Sequence, residues 1–176
     1  MSEQLLAGYY IRRGTTLDRA LLVKFMQRTY QGMFPQQDFS HLAHTVEQYF
    51  SSETPLWWVD FVGVEDAQTG QQVEEISAPS SPPSSLPVAC LWLGNAIDQQ
   101  RGDRHAHIFL LYVAPEHRRR GLGSALMRYV ETWAKTRGDH QIGLQVFTSN
   151  TAALNLYNQL GYQTQSLLMI KSLDND

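Results

Sequence analysis

Apolar residues crowd the stretch from His107 to Val113. There Ile108, Phe109, Leu110, Leu111, Tyr112 and Val113 run together without a polar break, as in a strand buried on both faces. Pro115 closes it. From Leu122 the period changes, because Leu122, Leu126, Tyr129, Val130 and Trp133 recur every three or four residues; this predicts a helix ending at Gly138. Upstream, Ala7 to Arg13 reads as a strand with Tyr9 and Ile11 alternating against polar neighbours. Thr15 or Thr16 then caps a helix carried by Leu17, Ala20, Leu21, Leu22, Phe25 and Met26, with Asp18 in its first turn. Beyond Pro35, His41, Leu42, Thr45, Val46 and Tyr49 share one side of a second helix over about 39–50. Leu56 to Glu65, Pro87 to Ile97 and Gln141 to Phe147 read as further strands, with a turn at Ala67 to Gly70. Ala153, Leu154, Leu156, Tyr157 and Leu160 suit a short helix that Ser149 or Asn150 caps and Gly161 ends.

A chain of 176 residues, 43% of them hydrophobic, fits one domain over 1–176 with a sizeable core. Ser77 to Pro87 holds five serines and four prolines, too polar and too stiff to join that core. It interrupts an expected hairpin, so it reads as a mobile loop at about 77–87 within the domain. The net charge of -3 gives no global pull toward nucleic acid or anionic lipid, which leaves Arg118 to Arg120 as a local feature. The one cysteine, Cys90, lies in an apolar run, where buried packing is expected rather than a catalytic thiol. With no secretory leader and no apolar run of membrane length, a cytoplasmic protein without membrane partners is expected.

The turn between the apolar strand and the helix carries the chemistry. Helix N-termini present unpaired N–H groups at the positive end of the macrodipole, and Gly121 and Gly123 let a ligand come close. The spacing excludes two familiar phosphate motifs: the P-loop needs a Gly-Lys-Ser/Thr ending, and the dinucleotide fingerprint needs a third glycine.

What remains, Arg118-x-x-Gly121-x-Gly123 between strand and helix, resembles motif A of the GNAT superfamily of acyl-CoA-dependent N-acyltransferases. Asn150 to Tyr162, after the next strand, resembles that family's motif B in the right order and separation. The resemblance is tight over residues 105 to 173 and loose before them. It implies an α/β fold with a mixed, V-shaped central sheet flanked by helices, and acyl-CoA in the splay between the strands near 107–113 and 141–147. It implies acetyl-CoA as co-substrate, no metal, and transfer of the acetyl group directly to a primary amine of a small molecule, peptide or protein.

The resemblance also distributes roles. Leu111 offers its backbone N–H to the carbonyl oxygen, and Tyr112 and Val113 adjoin the pantetheine arm, which Val113 N–H holds. Arg118, Arg119, Arg120, Gly121, Leu122, Gly123 and Ser124 surround the pyrophosphate and 3′-phosphate. Tyr157 stands where the family keeps its proton donor to the departing thiolate, with Asn150 as a cofactor contact or simply a helix cap. Family members often place a glutamate on the strand before motif A; this chain departs from that and offers His107, whose ordinary pKa near 6.5 suits a general base. A half-exposed surface histidine is the other reading, and Glu65, Asp66 or a water chain are alternative bases. His105 and His107 share one strand face, yet no third ligand lies near to make a metal site.

Two rivals remain at this level. A non-catalytic acyl-CoA-binding sensing module would keep the pocket and not need Tyr157; a nucleic-acid binder using the arginines is discouraged by the net negative charge. The two helices after the first strand line the acceptor site in the family, so Tyr30, Met33 and Phe34 are candidates to face the amine, and Trp57 and Trp58 suit a cation or a core equally. Tyr162 to Leu173 must supply one strand or two; with one missing an edge stays open for a dimer partner, so the chain is a monomer or a homodimer.

Overall fold

A left-handed Gly8 (φ 76°) turns the first residues into a hairpin that the apolar pattern does not announce. Its strands are β1 (Ser2–Leu6) and β2 (Tyr9–Arg13). In this computed structural model, which describes residues 1–62 and 86–173, α1 (Arg19–Met33) and α2 (Leu42–Tyr49) follow. Next come β3 (Leu56–Phe61), β4 (Ala89–Ile97), β5 (Arg104–Val113), α3 (Leu122–Arg137), β6 (Ile142–Leu144) and α4 (Thr151–Gln159). The mobile loop expected at about 77–87 and the turn at Ala67 to Gly70 lie largely or wholly outside the described residues.

The six strands form one sheet in the order β1-β2-β3-β4-β5-β6, antiparallel throughout except for the parallel β5–β6 pair. On one face Leu56, Trp58, Cys90, Trp92, Leu110 and Tyr112 meet Leu22, Phe25 and Met26 of α1 and Leu42 and Val46 of α2 in a single apolar cluster. Trp57, on the opposite face, sets its ring 5.9 Å from Tyr129 and 5.4 Å from Trp133 of α3. Both tryptophans are buried in the core, and Trp57 also holds the Arg13 guanidinium 4.6 Å above its ring centroid. Cys90 is fully buried and burial pushes its thiol well up, so it packs as a small hydrophobe.

Leu17, read above as part of the first helical stripe, is 92% exposed. A capping box explains it: Asp18 Oδ2 accepts from Thr15 N–H at 2.8 Å and Thr15 Oγ1 from Leu17 N–H at 3.3 Å, so Thr16–Asp18 make a tight 3-10 turn and the helix proper starts at Arg19. The chain divides into two compact units, Met1–Gln145 and Val146–Asp176. The second contains α4, capped by Asn150, whose side-chain oxygen accepts from Ala153 N–H at 3.2 Å. Residues 163–173 form no strand, so neither the one strand nor the two expected there is present among the described residues.

Candidate functional site

The strand–turn–helix at 104–137 is built as its sequence requires. Val113 ends β5, Pro115 opens a short 3-10 turn, and Gly121 caps α3 in the left-handed region (φ 80°) without any side-chain cap. A Cβ added at Gly121 would meet nothing within 4 Å, so the space above the helix start is open. Arg119 also has positive φ (61°), the one such non-glycine residue among those described, at a cost of about 1 kcal/mol. Left-handed residues next to extended ones turn successive N–H groups to one side, the geometry of an anion-binding nest. No acidic residue occupies the first turn of α3, where helices commonly place one, and three exposed arginines precede it. The uncompensated positive end and the open space fit the pyrophosphate that the resemblance implies.

Main-chain parity supports the carbonyl-binding role of β5. Ala114 N–H donates to Val88 O at 2.8 Å, so Tyr112 and Leu110 point their amides toward β4 as well, while Leu111 and Val113 point theirs away. On that outer side the β6 ladder ends at Ile108 opposite Leu144, and no strand among the described residues faces Leu111 or Val113. The exposed Arg118 turns back onto this edge, donating from Nε to Val113 O at 2.9 Å.

A bulge marks the same strand. Trp92 pairs with Leu110 and Leu93 with Ile108, which leaves Phe109 as the extra residue. Its ring lies against Gly94, with its centroid 4.9 Å from that of Trp92, 6.0 Å from Tyr49 of α2 and 5.7 Å from His107. A Cβ on Gly94 would stand 2.2 Å from the Phe109 ring. Gly94→Ala is therefore expected to cost about 1–3 kcal/mol in thermal unfolding and to displace Phe109, seen as loss of its ring contacts with Trp92 and Tyr49 in a variant structure.

His107 is half-buried on the Phe109 face. Burial, and then the charge of His105, hold its pKa below the ordinary histidine value, so the imidazole is neutral at pH 7 and able to accept a proton. His105 and His107 both flank Gly143, and Gln141 Nε2 lies 3.3 Å from His105 Nδ1. Within the second unit, the Tyr157 ring lies tilted against Tyr162 with centroids 5.8 Å apart, and burial pushes its phenol up to about 12. Glu65 and Asp66 lie outside the described residues.

One arrangement escaped sequence reasoning. The buried Tyr9 hydroxyl sits 3.0 Å from His117 Nδ1 and accepts from Arg120 Nη1 at 3.3 Å, with Phe61 packed on both rings. The first core strand thereby anchors the basic turn across more than a hundred residues of sequence. No local pattern encodes such a contact. Tyr30 and Phe34, candidates to face the amine, pack partly buried against the core cluster.

Comparison with known proteins agrees with this geometry. Residues 23–162 match the family model described as Acetyltransferase (GNAT) family. An uncharacterized N-acetyltransferase of Bacillus subtilis, YobR, is 37% identical over 60 residues, covering 34% of this chain and 24% of its own. Similar curated relatives are likewise matched over only a quarter to a third of their length. Among solved structures, a predicted acetyltransferase of Clostridium acetobutylicum with acetyl-CoA superposes with a TM-score of 0.68 at 16% identity, covering 93% of this chain and 96% of that one. An aminoglycoside acetyltransferase from a soil metagenome superposes with a TM-score of 0.65 at 15% identity over 97% and 100% of the two chains. The family match spans most of the chain, and the mixed sheet flanked by helices agrees with the solved acetyltransferase structures; the chain belongs to the GNAT acetyltransferase family.

Proposed function

We propose that this protein transfers the acetyl group of acetyl-CoA directly to a primary amine. The observation that carries the proposal is the open, acid-free N-terminus of α3 behind Arg118 to Arg120, set at the end of a strand whose Leu111 and Val113 amides point to an unpaired edge. A pyrophosphate held by the first places the pantetheine along the second like an added strand. Leu111 N–H then donates to the thioester oxygen as it becomes negative, and Val113 N–H to the pantetheine chain. A neighbour that carries acetyl-CoA in its structure supports the same co-substrate here.

The amine nitrogen attacks the carbonyl carbon, the carbon–sulfur bond breaks, the nitrogen gives up a proton and the sulfur gains one. His107 accepts the first, since its lowered pKa leaves it unprotonated at neutral pH. Tyr157 is the donor to the departing sulfur in this reading, a role carried over from the motif. The proton-loss step predicts an acidic limb in kcat/KM below the ordinary histidine value, and in His107→Gln that limb should vanish. A limb identical to that of the wild type would remove His107 from the role.

The acceptor class follows less directly. Phe109 and Tyr49 remain 36% and 50% exposed beside His107, an aromatic surface on the α2 face that suits an amine bearing an apolar or aromatic group. Aminoglycosides are acceptors for structural neighbours of this fold and belong in the test set. Incubation with acetyl-CoA and a panel of aromatic amines, polyamines, aminoglycosides and peptides, read by mass spectrometry for a 42 Da gain (the mass of an acetyl group less a proton, about 42), tests the proposal. Acetylation of one class names the acceptor; a panel wholly unmodified contradicts the activity.

A further inference from the structure

The hydroxyl that joins β2 to the basic turn is more than packing requires. Tyr9 is 5% exposed, and its ring is fixed against Phe61 with centroids 4.8 Å apart. A phenylalanine would fill that space equally well, so packing leaves the hydroxyl unexplained. Arg120 can only donate, so the Tyr9 oxygen accepts from its Nη1 at 3.3 Å, which leaves the hydroxyl proton for His117 Nδ1 at 3.0 Å. One buried group thereby holds two residues of the turn, on either side of its most constrained backbone.

Between those two residues the chain is extended at Arg118 (φ -71°, ψ 163°) and left-handed at Arg119 (φ 61°), and Gly121 is left-handed again (φ 80°). A glycine takes such a φ freely; an arginine does so only where its surroundings hold it. Relaxation of Arg119 to negative φ would turn the N–H groups of the turn away from a common anion. Tethers on both sides oppose this. Arg118 Nε on Val113 O at 2.9 Å ties one side to β5, in an exposed bond, while the buried Tyr9 ties His117 and Arg120 to β2.

Resting on the acetyl-CoA reading above, we infer that Tyr9 is a positioning residue for the co-substrate: its hydroxyl clips His117 to Arg120 and holds the turn in its anion-binding form before acetyl-CoA arrives. Tyr9 acts through the turn and not on the reacting atoms. A turn already in its bound form needs no ordering when the ligand binds, so the clip strengthens binding of acetyl-CoA and leaves the acyl-transfer step itself untouched.

Calorimetric titration of the full chain with acetyl-CoA, wild type against Tyr9→Phe, tests the inference. The variant should bind about tenfold more weakly, as loss of one hydrogen bond to a charged group implies, with an unchanged far-ultraviolet circular dichroism spectrum. With an amine from the acetylation panel, KM for acetyl-CoA should rise by the same factor while kcat stays within about twofold. In a His117→Ala/Arg120→Ala background the hydroxyl has no partner on the turn, and Tyr9→Phe should then change binding by less than about twofold. Equal affinity of wild type and Tyr9→Phe overturns the inference. So does a full tenfold loss in the background without partners, or a loss that falls on kcat instead of KM. A wild type that takes up no acetyl-CoA at all overturns the proposed function, and the clip with it, a result distinct from tight binding by both proteins.

Discussion

Tyr157→Phe is expected to lower kcat by about 10²–10⁴, the usual contribution of a positioned proton donor, with little change in KM for acetyl-CoA. The hydroxyl is the only atom removed, so packing against Tyr162 and the fold of α4 are preserved. The chemistry is less simple than a free phenol giving a proton to a free thiolate. Burial pushes Tyr157 up to about 12, whereas a thiol ordinarily titrates near 8.5, so full transfer to an unperturbed thiolate runs uphill by about 3.5 units. The same dry surroundings raise the thiol as well, because both partners lose hydration of their charged forms. In the proposed reaction Tyr157 accordingly acts as a hydrogen-bond donor to the sulfur while charge accumulates, and hands over the proton only as the bond breaks. Since the phenol stays protonated until about pH 12, it contributes no alkaline limb across the working range. Steady-state kinetics of the variant from pH 6 to 10 check both points; unchanged turnover would remove Tyr157 from the reaction.

Ser124→Glu should separate stability from binding by moving them in opposite directions. Ser124 lies in the first turn of α3, which holds no acidic residue. A carboxylate there meets the positive end of the helix and should raise unfolding stability by about 0.3–1 kcal/mol. The same carboxylate stands where the proposed reading puts the pyrophosphate. Two like charges about 6 Å apart at an effective dielectric constant near 20 repel by about 3 kcal/mol, which corresponds to roughly a hundredfold weaker acetyl-CoA. Calorimetric titration and thermal melting of the one variant read both quantities. Were the N-terminus of α3 only a structural cap, the variant would melt higher and bind as before.

Much of this was legible in the sequence where the signal is local. The continuous apolar run before Pro115, the helical stripe from Leu122 and the glycines at 121 and 138 fixed strand, turn and helix to within three residues, because period and turn chemistry both act over short distances. Elements whose stability comes from elsewhere were harder to see. β1 contains Glu3 and Gln4 and has no apolar alternation, and it exists because Gly8 turns it back onto β2. Leu17 fits the helical period and is nevertheless exposed, because the capping box starts the chain as a tight 3-10 turn.

The site divides in the same way. The basic turn and the helix cap at Asn150 were readable, whereas the bulge at Phe109 needs the partner strand to be defined, and the Tyr9–His117–Arg120 contact joins residues that no periodicity relates. The proposed base, His107, is visible in the sequence as a histidine on the strand before the basic turn, but its lowered pKa arises only from burial and from His105.

The most direct test of the central claim is release of free thiol from acetyl-CoA, followed continuously with wild type and Tyr157→Phe while amines are added in turn. Amine-dependent release by the wild type that collapses in the variant is the result expected of an N-acetyltransferase working through this site. Tight binding of acetyl-CoA with no thiol released for any amine would contradict it and leave a binder of acyl-CoA in its place.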